Sequence, residues 1–354
     1  MTTSQLKEIL KHNILNVVQA EYHTNDDLHE HIHTGANILL AKPCLYGNDE
    51  EGDALAALFE IAADKAFVAG QIVAPKEALE EEGGLLPYEA YYQDVLSKAE
   101  WLIDMGVSMI FLTGFRSITA MKCAVYAVRE ADFDIPICFG IYGEAEKIAP
   151  ALSLLVAAQS LDICAFGCVD MDIEDALFIL SELQAFTTVP LFALATFGQF
   201  LTPELYGDYV PSLINQKCAM LGLGAGSPAF TAAASKALWQ LSPLLPDFPV
   251  LNAVCSRDST IFLDFNGNIV SRNKQMIEIK TEKAEELLQA LPLLNKAGVA
   301  PVCFSIQDID LLEYAISHYA GRPAVRTDEY GAIIAKELGA FILSDNKGED
   351  REEE

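Results

Sequence analysis

Basic side chains are scarce in this sequence: 23 lysines and arginines stand against 51 aspartates and glutamates, a formal charge of -28 over 354 residues. A surface of that sign repels phosphate backbones and anionic lipid, which argues against nucleic acid and membrane surfaces as partners. Long apolar runs are missing too. No uninterrupted run reaches the roughly 20 residues that a membrane helix requires, and the N-terminal MTTSQLKEILKHN has no apolar signal core. The expectation is a cytoplasmic protein. Close-set cysteine pairs, the staples of small secreted domains, are also lacking. Cysteines 44, 123, 138, 164, 168, 218, 255 and 303 fall mostly inside strand-like runs such as PICFG and DICAFGC, which predicts reduced, buried thiols. No internal repeat is evident, and the one low-complexity stretch is residues 345–354, DNKGEDREEE, whose six acids and two bases read as a solvated tail.

What is present is a regular alternation. Hydrophobic residues make up 51% of the chain, enough for a large core. Short apolar runs recur as NILLA (37–41), AFVAGQIV (66–73), SMIFLT (108–113), PICFGIY (136–142), DICAFGC (162–168), VPLFALAT (189–196) and CAMLGLG (218–224), with ILNVV (14–18) as an eighth. Continuous apolar strands imply a parallel sheet buried on both faces. Between them, LSKAEWLIDMGV, TAMKCAVYAVREA and EDALFILSELQAF space their apolar residues by three and four, as helices covering a sheet do. Seven such units by residue 240, with ILNVV as the candidate eighth strand, fit an α/β fold of the (β/α)8 TIM-like barrel type better than an open sheet, with any site at the C-terminal strand ends.

After Trp239 the pattern changes. The proline-rich LSPLLPDFP leads into VLNAVC and TIFLDFNGNIV, where Asn266-Gly267 suggests a tight turn between strands. A helix (TEKAEELLQALPLLNKAG), a strand (VAPVCFS), a helix (DIDLLEYAISHYAG) and a final helix-strand pair ending at AFILS follow. The predicted domains are a barrel over 1–240, an α/β appendage over 241–344 and the acidic tail.

The stretch LGLGAG, Leu221 to Gly226, joins the last barrel strand to the helical SPAFTAAASKALW. Glycines after a strand suggest a phosphate cradle. Against that reading, no acid stands at the expected spacing after a first βαβ unit, and the strand comes last in its barrel. The register instead resembles the homocysteine S-methyltransferase family, in the form of the homocysteine-binding barrel of cobalamin-dependent methionine synthase. There the last strand runs into Gly-Gly-Cys-Cys-Gly; here QKCAMLGLGAG, Gln216 to Gly226, aligns without a gap and puts Gly224 and Ala225 where the paired cysteines would be. GVSMIFLTGFRSITAMKCAVYAVRE (106–130) is similar to the family's fourth strand and helix, AGQIVAP (69–75) to its Gly-Ser-Ile-Gly-Pro turn, and GANILLAKP (35–43) to its Gly-Ala-Asp-Ile-Ile-Thr-Thr-Asn segment. The resemblance covers about residues 30–240.

That resemblance implies a zinc ion held by three cysteine thiolates, with the substrate sulfur as fourth ligand, kept as a thiolate to attack a methyl donor. Here the vicinal pair is missing, and either Cys168 or Asp170 takes the third ligand's place, depending on where one residue is deleted. The family's strand-four glutamate, which receives the amino group of homocysteine, is Thr113, and a following aspartate is Ser117. The opening Asp-Gly-x-x-Gly-Thr motif has no counterpart near VVQAEYHTND. The expectation is therefore a methionine synthase-like barrel that has lost zinc-thiolate methyl transfer, with no cofactor and with zinc not favoured, binding a small ligand or a partner protein. The alternative is an active methyltransferase with altered substrate or metal site; a scaffold role is a third.

A ligand pocket at the barrel mouth would be built from Lys42, Thr113, Arg116, Cys168, Asp170, Gly222, Gly224, Ala225 and Gly226, and two cations there would suit a small anion. Arg116 would clamp a carboxylate or pair with a loop acid. Among His23, His29, His31 and His33, a helix puts His29 and His33 on one face and leaves His31 off it. Cys164 and Cys168, four apart on a strand, would both point into the barrel or sit as core thiols. The segment Ala300 to Thr327 resembles the strand-helix-strand of a folate-binding pterin barrel, but about 100 residues cannot close a second barrel, so folate binding is not expected.

Overall fold

In the computed structural model, which describes residues 1–142, 148–196, 201–247, 250–264, 267–271 and 274–343, eight parallel strands close into a barrel in sequential order. They are β1 (Leu15–Gln19), β2 (Ile38–Pro43), β3 (Phe67–Val73), β4 (Met109–Phe115), β5 (Ile137–Ile141), β6 (Ala165–Asp172), β7 (Leu191–Thr196) and β8 (Cys218–Leu223). The seam pairs Leu15, Asn16 and Val17 of β1 with Met220, Leu221 and Gly222 of β8. Closure leaves the barrel without a sheet edge. The predicted (β/α)8 fold is the observed one.

Alternation along each strand sends one set of side chains inward and the other toward the helices. Val17, Ile38, Leu40, Met109, Phe111, Val169, Phe192 and Leu194 fill the lumen, with Phe111 and Phe192 edge to face at 5.6 Å. The N-terminal segment forms helix α1 (Thr3–His12), opened by a Thr2–Gln5 capping box. Its Leu6 and Leu10, wholly buried, join this inner cluster and close the floor.

Helices α2 (Asn25–His33), α3 (Asp49–Ala62), α4 (Tyr88–Asp104), α5 (Ile118–Ala131), α6 (Ile148–Ala158), α7 (Ile173–Leu183), α8 (Pro203–Asn215) and α9 (Pro228–Leu238) cover the outside. Side-chain caps at Thr24, Asn48, Ser117, Asp172 and Thr202 fix where α2, α3, α5, α7 and α8 begin.

The appendage starts with a two-stranded antiparallel ladder, β9 (Ala253–Cys255) and β10 (Thr260–Phe262). Asn266, and with it half of the expected turn, lies outside the described residues; around it Leu263 and Ile269 form an isolated antiparallel bridge. Then β11 (Ile277–Ile279), α10 (Ala284–Ala297), β12 (Val302–Phe304), α11 (Ile309–His318), β13 (Ala324–Val325), α12 (Glu329–Glu337) and β14 (Phe341–Ile342) build a four-stranded parallel sheet in chain order. Four short strands cannot close a second barrel. The unit is fastened to the barrel by polar contacts: Lys122 of α5 donates to the carbonyls of Ile316 and Gly321, and Tyr126 donates to Leu338 O at 2.9 Å. The acidic tail lies outside the described residues. Among the described residues, no helix is long and apolar enough to cross a membrane.

Candidate functional site

At the C-terminal ends of the strands the lumen turns from apolar to polar. One step above Val17 comes Gln19, and above Ala69 and Phe111 come Gln71 and Thr113; all three are buried. Gln71 Nε2 donates to Thr113 Oγ1 at 2.9 Å, so the strand-four threonine is already engaged by its neighbour. Across the mouth, β6 slips register between Val169 and Met171, and Asp170 between them takes a left-handed backbone with φ 53°. A bulge re-aims a side chain. Here the carboxylate meets the amide of Gln19; burial raises the Asp170 pKa and that hydrogen bond lowers it in part. Asp170 keeps solvent access, so screening limits the energy involved.

Gly224 completes this corner. Its N–H donates to Ala195 O at 2.8 Å, and a Cβ built on it would meet Gln19 Oε1 at 3.1 Å and Tyr22 Cε2 at 3.5 Å. Gln19 Oε1 is buried without a hydrogen-bond partner. Tyr22 stands beside it, its hydroxyl pushed up to about 12 by burial and by the carboxylates of Glu21 and Asp170. On the opposite rim Arg116, exposed just beyond β4, lies over the Tyr142 ring at 4.5 Å from its centroid. Ser117 caps α5 through Ala120 N at 3.0 Å and donates to Glu82 at 2.7 Å.

Thr113, Arg116, Asp170 and Gly224 thus share the mouth, with Ala225 exposed next to Gly224. The others do not join them. Cys168 lies between Gly167, which faces Phe192 in the lumen, and the lumen residue Val169; its own side chain therefore packs in the sheet–helix cluster, where burial pushes its thiol up to about 12. Cys164, which precedes β6, drops to the floor and donates to Thr3 O, so the two thiols share no face. Lys42 would point inward by alternation, but β2 shifts register between Leu40 and Pro43, and the lysine lines a hollow on the barrel flank. Gly222 belongs to the wall: a Cβ there would stand 2.5 Å from Val17 O and 2.8 Å from Leu194 Cδ2. Gly226, whose N–H turns back to Gly224 O, serves the turn into α9.

A three-thiolate zinc centre needs three soft donors converging on one point. This corner offers the Asp170 carboxylate, no thiolate, and a glutamine amide where a side chain at position 224 would begin. Among the described residues no three His, Cys, Asp or Glu side chains are grouped to hold a metal. The residues present do not fit that ion. The histidines separate as well: His29 and His33 are exposed, while His31 is buried, with Nδ1 2.8 Å from Thr231 Oγ1 of α9 and its ring 4.4 Å from that of His23. Burial first and His23 second hold His31 down to about 4. Gln19, Tyr22, Gln71 and Tyr142 escaped the sequence reading. The one available signal was polarity: glutamines in otherwise apolar strands, at the inward-facing end.

No protein-family model and no curated protein matches the sequence. Among solved structures, the homocysteine methyltransferase MmuM from Escherichia coli is similar in its apo form, with a TM-score of 0.50 and 16% identity over 64% of this chain and 96% of that one. Its metallated form gives 0.50 and 16% over 63% and 96%. At this identity the likeness is one of fold: almost the whole of that enzyme aligns with somewhat under two thirds of this chain.

Proposed function

We propose that this chain is a homocysteine methyltransferase-like barrel that has lost zinc-thiolate methyl transfer and binds a small carboxylate-bearing ligand at its mouth. The observation that carries the reading is Gln19 Oε1, a buried acceptor without a partner, standing against Gly224 where the resemblance would put a metal-binding cysteine. An unmet buried acceptor costs about 1–3 kcal/mol, and a ligand N–H would recover it. Asp170 beside it favours a donor or a cation, and Arg116 on the far rim favours a carboxylate. A ligand with an amino end and an acid end satisfies both corners.

Two measurements on protein purified without chelator test this. Metal analysis should give less than one zinc per chain. Calorimetric titration should show homocysteine binding more tightly than 4-mercaptobutyrate, which lacks the amino group, with no methyl transfer to either. A one-to-one zinc together with turnover would overturn the proposal in favour of an active methyltransferase with an altered substrate or metal site; equal affinities would remove the role given to Gln19 and Asp170.

A further inference from the structure

A second hollow, of about 530 Å³, opens on the barrel flank beneath the loop joining β2 to α3. Its walls are Leu28 of α2, Ala41 of β2, Leu55 and Leu58 of α3, and Trp101 of α4. It exists because α3 presents alanines, Ala54 and Ala57, where larger side chains would close the gap. The roof is held in place. The Glu51 carboxylate accepts from the N–H groups of Leu45, Tyr46 and Gly47 at 3.0, 3.2 and 2.7 Å. Gly47, with φ 62°, rests on Trp101, whose Cγ would lie 3.0 Å from an added Cβ. A cavity of this size, mostly apolar with a few polar groups in its lining, has the character of a small-molecule site.

The polar groups define the occupant. Lys42 lines the hollow and is exposed, and among the described residues it has no hydrogen-bond or ion-pair partner. His23 lines the same hollow, and its Nε2 is buried without a partner. The two carboxylates there outnumber the lysine, but Glu51 is occupied by three roof N–H groups and Glu50 is exposed to solvent, which leaves Lys42 as the lining cation with which a ligand acid could pair. We propose that this hollow binds a small amphipathic carboxylate, its hydrocarbon body against Leu28, Leu55, Leu58 and Trp101 and its acid group at Lys42. A neutral apolar molecule would fill the body of the hollow without gaining the ion pair with Lys42; a short acid would meet Lys42 without burying any apolar surface. The lining of the hollow shares no residue with the mouth corner of Gln19, Tyr22, Asp170 and Gly224, so the inference does not rest on what the mouth binds.

The test uses the full chain with octanoate, octanol and acetate as probes, followed by ligand-observed NMR and calorimetry. Octanoate should saturate a single site and bind more tightly than octanol, and acetate should not bind. Lys42→Met should weaken octanoate about two- to fivefold, the range of a solvent-exposed ion pair, and erase its advantage over octanol. Ala57→Phe should abolish binding of both; Ala54→Trp, at a more exposed position, fills the same space if the first variant folds poorly. The inference is overturned if octanol binds as well as octanoate to the unmodified chain, if binding survives both filling variants, if none of the probes saturates, or if Arg116→Ala rather than Lys42→Met removes octanoate, which would put the acid in the mouth.

Discussion

The side-chain carbonyl of Gln19 stands 3.1 Å from the point where a Cβ on Gly224 would lie. The end of the first strand and the residue just past the last one therefore share one small volume at the mouth, and whatever stands at position 224 must contend with the amide at position 19.

Restoring cysteines at the last strand end should therefore need a second change. Gly224→Cys with Ala225→Cys adds two thiolates but leaves the Gln19 amide against the first, so zinc affinity should rise only modestly; adding Gln19→Ala should raise it further. Methyl transfer to homocysteine should stay undetectable in both, because Thr113 still stands at the strand-four position and is bonded to Gln71. Zinc content by elemental analysis and a methylation assay check this. Full zinc loading of the double variant would show that Gln19 is no obstacle.

The glycines of LGLGAG should differ in cost. An added methyl at Gly222 meets a backbone carbonyl of β1 at 2.5 Å, whereas one at Gly224 meets the movable end of a glutamine at 3.1 Å. Gly222→Ala should lose about 1–3 kcal/mol, the usual penalty for overpacking, and Gly224→Ala clearly less. Urea unfolding of both variants decides it; equal losses would mean that the strand relaxes around either methyl.

The strands and most helices were legible because burial on both faces leaves continuous apolar runs, and the lumen's order followed from alternation. What alternation could not give was its interruptions. Lys42 leaves the mouth because β2 shifts register, Asp170 enters it because β6 bulges, and Cys168 faces the helices because Ala165, Gly167 and Val169 take the lumen face, while Cys164 lies before the strand and its alternation. Each depends on how neighbouring strands meet, a property of the closed barrel and not of any one segment. His31 makes the same point on a helix: periodicity placed it off the face shared by His29 and His33, but only the packing of α2 on α9 buries it.

Burial should make stability rise with pH at two sites, in two separate pH windows. Lys122 is buried against carbonyl acceptors and lowered to about 7, chiefly by desolvation. Between that value and the ordinary 10.5 the unfolded chain binds the extra proton, so this residue's contribution to stability rises as pH increases from 7. The difference in unfolding free energy between the unmodified chain and Lys122→Met should therefore grow in favour of the former from pH 7 to 9, below the range where tyrosines titrate. A difference independent of pH would place the folded-state value near the ordinary one.

His31 works at the other end. Its ordinary value is 6.5 and its folded value about 4, so the stability it contributes is complete above 6.5 and is lost as pH falls toward 4, where the unfolded chain takes up a proton that the native one refuses. His31→Gln can keep a polar contact to Thr231 without titrating, and should flatten the acid limb of the stability curve measured by thermal melting between pH 7 and 4. An unchanged limb would assign acid sensitivity to the carboxylates.

Arg116 carries the last prediction because its surroundings set its strength. Being exposed, it cannot act as a desolvated clamp; Tyr142 holds the guanidinium over its ring face instead, an arrangement worth about 0.5–1 kcal/mol at exposed sites. If the mouth ligand bears a carboxylate, Arg116→Ala should weaken binding by about 1 kcal/mol, close to fivefold, and leave folding stability almost unchanged. Tyr142→Leu should cost part of that, since the cation remains but its orientation is released. Raising salt should shrink the first effect, because a rim charge is screened over about 8 Å at physiological ionic strength. Homocysteine affinity measured for both variants at low and high salt is sufficient. Should Arg116→Ala leave that affinity untouched at low salt, the rim charge has no part in recognition, and the hydrogen-bonding corner of Gln19 and Asp170 must carry the binding alone.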